Sequence, residues 1–138
     1  TEFGYNYRMT DISAAIGRVQ LTKLQGFNAR RREIANIYND KLSKYVKVPE
    51  NRRGHVYHQY TILCESRDDL RDHLLEAGVG SGIYYPTLLY DYEPMKDYVS
   101  DCPNAKKLTE TALSLPVHPA LKDEEISKVI DSVVSFFE

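Results

Sequence analysis

Two polar side chains stand directly before the first helical pattern of the chain. Asn6 carries a neutral amide and Arg8 a guanidinium, and both lie in a loop that runs straight into a helix. The planar guanidinium can contact a ligand, or it can form a salt bridge that fixes the loop. The amide can likewise donate to a ligand or cap its own loop. The residue types therefore indicate either a binding loop or an ordinary polar lead-in to the helix.

A triple arginine and a tyrosine pair are the other groups that could contact a ligand. Arg30, Arg31 and Arg32 are consecutive in a helical pattern. Neighbouring helical residues diverge by about 100°, so at most one or two of the three can reach the same ligand. Such a run usually forms a solvated face. Tyr84 and Tyr85 lie in a strand-like segment and would point to opposite faces, so one of them can equally belong to the core.

The histidines and cysteines do not form a pattern that predicts a metal site. His55 and His58 are three residues apart in a strand-like segment and would project to opposite faces. No cysteine or carboxylate with zinc-ligand spacing completes a set. Cys64 and Cys102 are too few for a disulfide framework. We therefore expect no metal, and we expect reduced thiols in a cytoplasmic protein.

The composition is that of one globular domain of 138 residues, with 42% hydrophobic and 28% charged side chains. No apolar run approaches the ~18 residues of a membrane helix, and no secretory signal opens the sequence. The net charge of −2, with arginines that lack interleaved aromatics, argues against nucleic-acid binding. Residues 1–53 hold 11 basic and 5 acidic side chains, against 7 and 15 in residues 54–138. This separation of basic from acidic residues can steer an anionic ligand toward one end, or it can simply reflect two solvated faces.

The elements that must position these groups begin with a helix capped by Thr10. Its apolar positions repeat at helical spacing, and Gly17, beside two other small residues at 13 and 14, indicates that another backbone approaches closely. Gly26 predicts a break or bend. A second helical stripe follows it, with Ile34 and Tyr38 among its members.

Shorter elements alternate along the rest of the chain. The predicted strands are 55–63, 83–85 and 113–115. The predicted helices begin at Ser66 with a capping-box-like arrangement and at Pro103, and Asp123 is predicted to cap the last helix. Gly78 is predicted to end the first of these helices. The last helix has the cleanest apolar face in the chain. The pattern predicts an α/β fold in which helices cover one side of a short sheet.

Seven short motifs together resemble one family. They are Gly-Tyr-Asn-Tyr-Arg-Met at 4–9, Ala-Ala-Ile-Gly at 14–17, Gln-Leu at 20–21, His-Gln-Tyr at 58–60, Gly-Ile-Tyr-Tyr-Pro at 82–86, Cys-Pro-Asn-Ala at 102–105 and Leu-Ser-Leu-Pro-Val-His-Pro at 113–119. In this order they resemble the DegT/DnrJ/EryC1/StrS aminotransferases, enzymes that use pyridoxal 5'-phosphate (PLP) to aminate keto sugars on nucleotides. Each motif alone is weak, but the series covers nearly the whole chain.

The resemblance implies that residues 1–138 are the small C-terminal domain of a fold-type I PLP enzyme. Residues 1–45 would be the junction loop and a long interrupted helix. The lysine that carries PLP would lie upstream, in a large domain absent from this sequence, so that no catalytic residue is expected here. The first residue is Thr1 rather than Met, which agrees with a fragment. Its partners would be its own large domain and a second subunit in a homodimer.

The resemblance also implies roles for individual residues. Asn6 would reach across the dimer to the phosphate of the partner's PLP, and Arg8 would be a second ligand contact. Arg30 or Arg31 would reach the phosphates of the nucleotide sugar. Tyr84 and Tyr85 would touch its diphosphate, since phenolic hydroxyls donate to phosphate oxygens.

One segment departs from the family pattern. Leu-Leu-Tyr at 88–90 stands where Pro-Leu-His is usual, which removes a histidine. Two alternatives to the aminotransferase also stay open. One is a sugar dehydratase of the same family, in which histidine replaces the upstream lysine. The other is a regulatory or interaction module without catalysis.

Overall fold

One uninterrupted helix, α1 (Asp11–Leu42), opens the fold. The computed structural model describes residues 4–98 and 100–138, and Thr1 lies outside them. Thr10 caps α1 as predicted, with extended backbone angles and a side chain that accepts a hydrogen bond from the Ser13 N–H. The predicted interruption at Gly26 is wrong, because the helix continues through it. A glycine costs a helix only about 1 kcal/mol, and the 32 residues of α1 absorb that cost.

The two halves of α1 have different surroundings. The second half buries Ile34, Ala35, Tyr38 and Leu42 in the core, as the stripe predicted. The first half carries an apolar stripe that is exposed, with Ile12 at 75%, Ile16 at 58% and Val19 at 54% exposure; further members are Leu24 and Phe27. We call these five residues the α1 stripe. The first half of α1 therefore presents apolar surface to its surroundings rather than to the core of this chain.

Two short antiparallel strands, β1 (Tyr60–Leu63) and β2 (Ala112–Leu115), form the sheet, with Tyr60 opposite Leu115. Single bridges extend it on both sides, Lys47 to Leu63 and Gly82 to Ser114. β2 matches its prediction. The strand predicted over 55–63 forms only in its last four residues, because Tyr57 takes a left-handed backbone conformation with φ of 48°. The strand predicted over 83–85 does not form.

Two helices lie between β1 and β2 along the chain. α2 (Arg67–Glu76) begins after Ser66, whose side chain makes no capping hydrogen bond, so the predicted capping box is wrong. Gly78, with φ of 72°, ends this helix as predicted. α3 (Pro103–Thr111) begins at Pro103, also as predicted. Two 3₁₀ turns, Leu89–Asp91 and Glu93–Tyr98, lie between α2 and α3.

The last helix, α4 (Asp123–Phe137), packs against α1 and α2. Its N-cap is Lys122, one residue before the predicted Asp123, and the Glu125 carboxylate accepts the Lys122 backbone N–H at 2.8 Å. Ile126, Val129 and Val133 bury the apolar face that the sequence predicted. Together with α1, α2 and the sheet they close one core, which confirms the α/β class.

Buried tyrosines connect the core to the segment that follows β2. The Tyr38 hydroxyl donates to the Pro116 carbonyl at 2.9 Å, and the Tyr60 hydroxyl donates to the Asn39 side-chain oxygen at 2.7 Å. The two rings meet edge to face, 5.0 Å apart. Burial raises the pKa of both phenols. The Tyr38 hydrogen bond ties α1 to residues 116–118.

Within residues 4–98 and 100–138, no helix is both long and apolar enough to cross a membrane.

Candidate functional site

The loop before α1 exposes Asn6 and Arg8 together. Residues 4–10 are all exposed, and the Asn6 side-chain oxygen accepts a hydrogen bond from Arg8 Nε at 3.0 Å. Among the described residues, Arg8 has no carboxylate partner and the Asn6 amide nitrogen has no acceptor. The pair therefore presents N–H donors outward, a suitable chemistry for an anion such as a phosphate.

Arg30 and Arg31 have different environments. Arg30 donates to Asp123 at 2.6 Å and to the Leu121 carbonyl at 3.1 Å, and it forms a second ion pair with Glu33 at 2.9 Å. Hydrogen bonds to the Asp123 and Glu33 carboxylates raise the pKa of Arg30. This arginine holds α1 against the start of α4. Arg31, in contrast, donates to Asn28 at 3.3 Å, its one side-chain partner within residues 4–98 and 100–138, and it lines a cleft.

The cleft has a volume of about 840 Å³ and is formed by four parts of the fold. They are the glycine-rich loop 78–82, the residues 58–59 before β1, the segment from Ser114 to His118 at the end of β2, and the facing parts of α1 and α4. The polar side chains that line the cleft are Arg31, His58, Gln59, Ser81, Tyr84, Ser114, His118, Glu125 and Lys128. We refer to it as the donor cleft.

Of the two predicted tyrosines, only Tyr84 lines the donor cleft. Tyr84 is 55% exposed and Tyr85 is 75% exposed. Gly82 lies so close to Tyr84 that an added Cβ would be 2.6 Å from its ring and hydroxyl. The absence of a side chain at Gly82 therefore lets the Tyr84 ring lie against the loop. Asn6, Arg8, Arg30 and Tyr85 do not line the cleft, so the structure joins two of the six predicted residues there.

The departure from the family pattern at 88–90 lies in a different pocket. Tyr90 lines a smaller, largely apolar cavity of about 350 Å³ together with Leu88, Leu89, Met95, Tyr98 and Cys102. Desolvation raises the pKa of its phenol. Tyr90 is thus no part of the donor cleft.

Seven polar residues of the donor cleft were not predicted as site residues: His58, Gln59, Ser81, Ser114, His118, Glu125 and Lys128. Four of them lie inside the motifs at 58–60 and 113–119, and closer attention to the imidazoles there would have selected His58 and His118. Lys128 had no such signal, since it looks like any lysine on the polar face of a helix. Only the packing of α4 beside α1 brings it into the same cleft as Arg31.

In the part of the chain that the structure describes, no three His, Cys, Asp or Glu side chains cluster to hold a metal ion.

Comparison with known proteins agrees with this architecture. The profile of the DegT/DnrJ/EryC1/StrS aminotransferase family matches residues 1–134. A UDP-N-acetyl-3-dehydro-alpha-D-glucosamine 3-aminotransferase of Acidithiobacillus ferrooxidans is 35% identical over 130 residues, covering 91% of this chain and 35% of that protein. A pleiotropic regulatory protein of Geobacillus stearothermophilus is 34% identical, covering 97% of this chain and 38% of that protein.

A solved structure shows the same fold. The DegT/DnrJ/EryC1/StrS aminotransferase of Brucella abortus superposes with a TM-score of 0.91 at 34% identity, over 99% of this chain and 38% of that one. Fold and cleft thus define an α/β domain that matches the C-terminal part of sugar aminotransferases. The chain belongs to the DegT/DnrJ/EryC1/StrS aminotransferase family. It spans 35–38% of the length of these curated relatives.

Proposed function

We propose that this chain is the C-terminal domain of a PLP-dependent aminotransferase that transfers an amino group to a keto sugar nucleotide. The observation that carries the proposal is the position of Asn6 and Arg8. Both present donors to the outside at the start of the half-helix that carries the α1 stripe. Donors placed there serve a site that is completed by other protein surface, which agrees with a domain of a larger enzyme.

Asn6 and Arg8 fit the phosphate of PLP. A phosphate needs several N–H donors, and the pair offers a guanidinium and an amide nitrogen without a carboxylate beside them. Asn6 would hold the cofactor phosphate of the partner subunit, and Arg8 would support the loop or add a contact. When bound, PLP supplies the electron sink for amino-group transfer. The role of this chain is to orient the cofactor through its phosphate.

Arg31 and Tyr84 are the residues that we propose for the nucleotide sugar. They line the same cleft, and Arg31 has no carboxylate partner among the described side chains. The guanidinium of Arg30 forms ion pairs with Asp123 and Glu33, so we propose that it positions α1 rather than the substrate. Tyr85, with an exposed ring beside Tyr84, can cover the sugar from outside the cleft.

The α1 stripe supports the proposed partners. Isolated exposed apolar residues are common, but five along one helix form a continuous surface that favours burial. We propose that the enzyme's own large domain and a second subunit cover it in a homodimer.

The test uses the full-length protein, its cofactor and an amino donor. We expect amination of a nucleotide-linked keto sugar, and we expect Asn6→Asp to weaken PLP binding because a carboxylate repels phosphate. Asn51→Asp, a matched change on another exposed loop, should leave PLP binding unchanged. Equal PLP affinity in the wild type and Asn6→Asp would contradict the role of Asn6, and failure to aminate any keto sugar nucleotide would contradict the function.

A regulatory module is the second candidate. It is favoured by the similarity to the pleiotropic regulatory protein of G. stearothermophilus. A full-length protein that neither binds PLP nor transfers an amino group would support this candidate. A protein that binds PLP but eliminates water from the sugar would instead support the dehydratase alternative.

A further inference from the structure

Tyr57 combines two unfavourable features at one position. Within residues 4–98 and 100–138 it is the one non-glycine residue with a left-handed backbone, at φ of 48°. This conformation is costly for an aromatic residue, because its Cβ comes too close to the backbone. The Tyr57 hydroxyl is also buried without a hydrogen-bond partner in the described part of the chain. A residue that bears both costs indicates a conformation that serves a position rather than stability.

Two contacts hold Tyr57 in this conformation. Its backbone N–H donates to His55 Nδ1 at 3.0 Å, and the two rings lie 4.2 Å apart. An imidazole nitrogen accepts a hydrogen bond only when it carries no proton, so a neutral His55 has its proton on Nε2 here. The Tyr57 ring is 1% exposed and lies 6.2 Å from the ring of Tyr60. His55 is exposed, so it contributes to this turn and not to the core.

The turn at Tyr57 determines where the next two side chains lie. In an extended strand, His58 and Gln59 would project to opposite faces. Both instead line the donor cleft, and β1 begins only after them, at Tyr60. A left-handed residue directly before the pair interrupts the alternation of an extended chain. The backbone of Tyr57 therefore controls the approach of this segment to the cleft.

We propose that His55 is a positioning residue. Its imidazole accepts the Tyr57 N–H and thereby holds the left-handed turn, and the turn places His58 and Gln59 in the donor cleft. His55 does not line the cleft itself, so it acts through Tyr57. The conformational role is argued from the turn; its effect on a substrate rests on the proposed function.

The first experiment uses two substitutions that separate the hydrogen bond from the ring contact. His55→Phe keeps an aromatic ring beside Tyr57 and removes the acceptor. His55→Asn removes the ring, but its side-chain oxygen can accept the N–H two residues on, as asparagine does in turns. His73→Phe is the matched control, because this imidazole lies on α2, beside Phe136 and Ser135.

Nuclear magnetic resonance of the isotope-labelled 138-residue chain reports the turn directly. We expect a scalar coupling across the hydrogen bond, between the Tyr57 amide nitrogen and His55 Nδ1. The coupling between the Tyr57 amide proton and Hα reports the sign of φ together with the Hα–amide distance. His55→Phe should lose the positive φ and shift the amide signals of residues 57–59, whereas His55→Asn and His73→Phe should retain the positive φ. Circular dichroism checks that each variant is folded.

Three results would overturn the proposal. They are no coupling across the hydrogen bond in the wild type, a positive φ that persists in His55→Phe with unchanged signals of residues 58 and 59, and an equal loss of positive φ in His55→Phe and His55→Asn. The first of these needs no variant, so the proposal stays testable if His55→Phe does not fold.

A second experiment separates this proposal from the proposed function. In the full-length protein, His55→Phe should raise KM for the nucleotide sugar about fivefold, the effect of one lost hydrogen bond, and leave the affinity for PLP unchanged. His55→Asn should retain the wild-type KM. An unchanged KM in an active His55→Phe enzyme would overturn the link between the turn and the substrate. A protein without aminotransferase activity, in which His55→Phe still loses the positive φ, would contradict the proposed function and leave the positioning role of His55 standing.

Discussion

Replacing Tyr38 by phenylalanine removes one hydroxyl from the centre of the fold and nothing else. The ring is fully buried and packs edge to face on Tyr60, so phenylalanine keeps its volume and contacts. The substitution removes the 2.9 Å hydrogen bond that the hydroxyl donates to the Pro116 carbonyl. A net hydrogen bond contributes about 1 kcal/mol, and a fully buried carbonyl without a partner costs about 1–3 kcal/mol more. Because Pro116 is only half-buried, water can reach its carbonyl, and we expect a loss of about 1 kcal/mol in the free energy of unfolding.

Urea unfolding followed by circular dichroism measures this loss. With a slope of roughly 2 kcal/mol per molar urea, the midpoint should fall by about 0.5 M. Tyr45→Phe is the matched control, because its hydroxyl also donates a 2.8 Å hydrogen bond, but to the exposed carboxylate of Glu138. That variant should unfold within about 0.3 kcal/mol of the wild type. If both variants lost the same stability, the Tyr38 hydroxyl would not be the tie between α1 and residues 116–118.

Three further outcomes are expected. Burial raises the pKa of Tyr38 and Tyr60, so their contribution to stability is complete below 10.0, the tyrosine pKa in the unfolded chain, and is lost as the pH rises above it. The urea midpoint should therefore fall above pH 10. It should fall less steeply when both tyrosines are replaced by phenylalanine. In the full-length protein, Gly17→Leu should promote dimer dissociation far more than Lys23→Leu. Within residues 4–98 and 100–138, no atom outside the adjoining residues and backbone of α1 lies within 4 Å of a Cβ at Gly17, so any close packing there would involve other protein surface. Equal small effects would exclude close packing there. Mixing an Asn6→Asp protein with one that lacks the upstream cofactor lysine should restore activity, up to about half that of a wild-type dimer per heterodimer. In such a heterodimer one active site contains both substitutions and the other contains neither. Heterodimers without recovered activity would mean that Asn6 acts within its own subunit.

The sequence predicted those elements whose signals are local. The Thr10 cap, Pro103 at the start of α3 and the apolar face of α4 each depend on residues within a few positions, and the structure has all three. Gly26 misled because a glycine signals a break only where the helix is weakly supported. The strand predicted over 55–63 was too long because polar and apolar residues alternate through Tyr57, whose left-handed backbone delays the start of the strand until Tyr60.

The donor cleft shows the other limit of sequence reasoning. Arg31 was a candidate because the family resemblance points to an arginine in the run 30–32. Lys128, almost a hundred positions later, lines the same cleft only through the packing of α4 beside α1. Charge compensation is only partly visible in the sequence. Glu33 lies one helical turn after Arg30, but the second carboxylate, that of Asp123, reaches Arg30 only because α4 packs beside α1.

Because α1 is continuous, the number of its residues fixes the rotation of one end about the helix axis relative to the other. An α-helix turns about 100° and advances about 1.5 Å for each residue. The buried stripe from Ile34 onward locks the rotation of the second half, so the direction in which Asn6 and Arg8 point depends on the number of residues between them and Ile34. Inserting one residue near Gly26 would leave the core intact yet swing the loop by about 100°, whereas inserting seven would return it to within about 20° of its direction, some 10 Å farther out. The length of α1 is therefore constrained by angle as strictly as by distance.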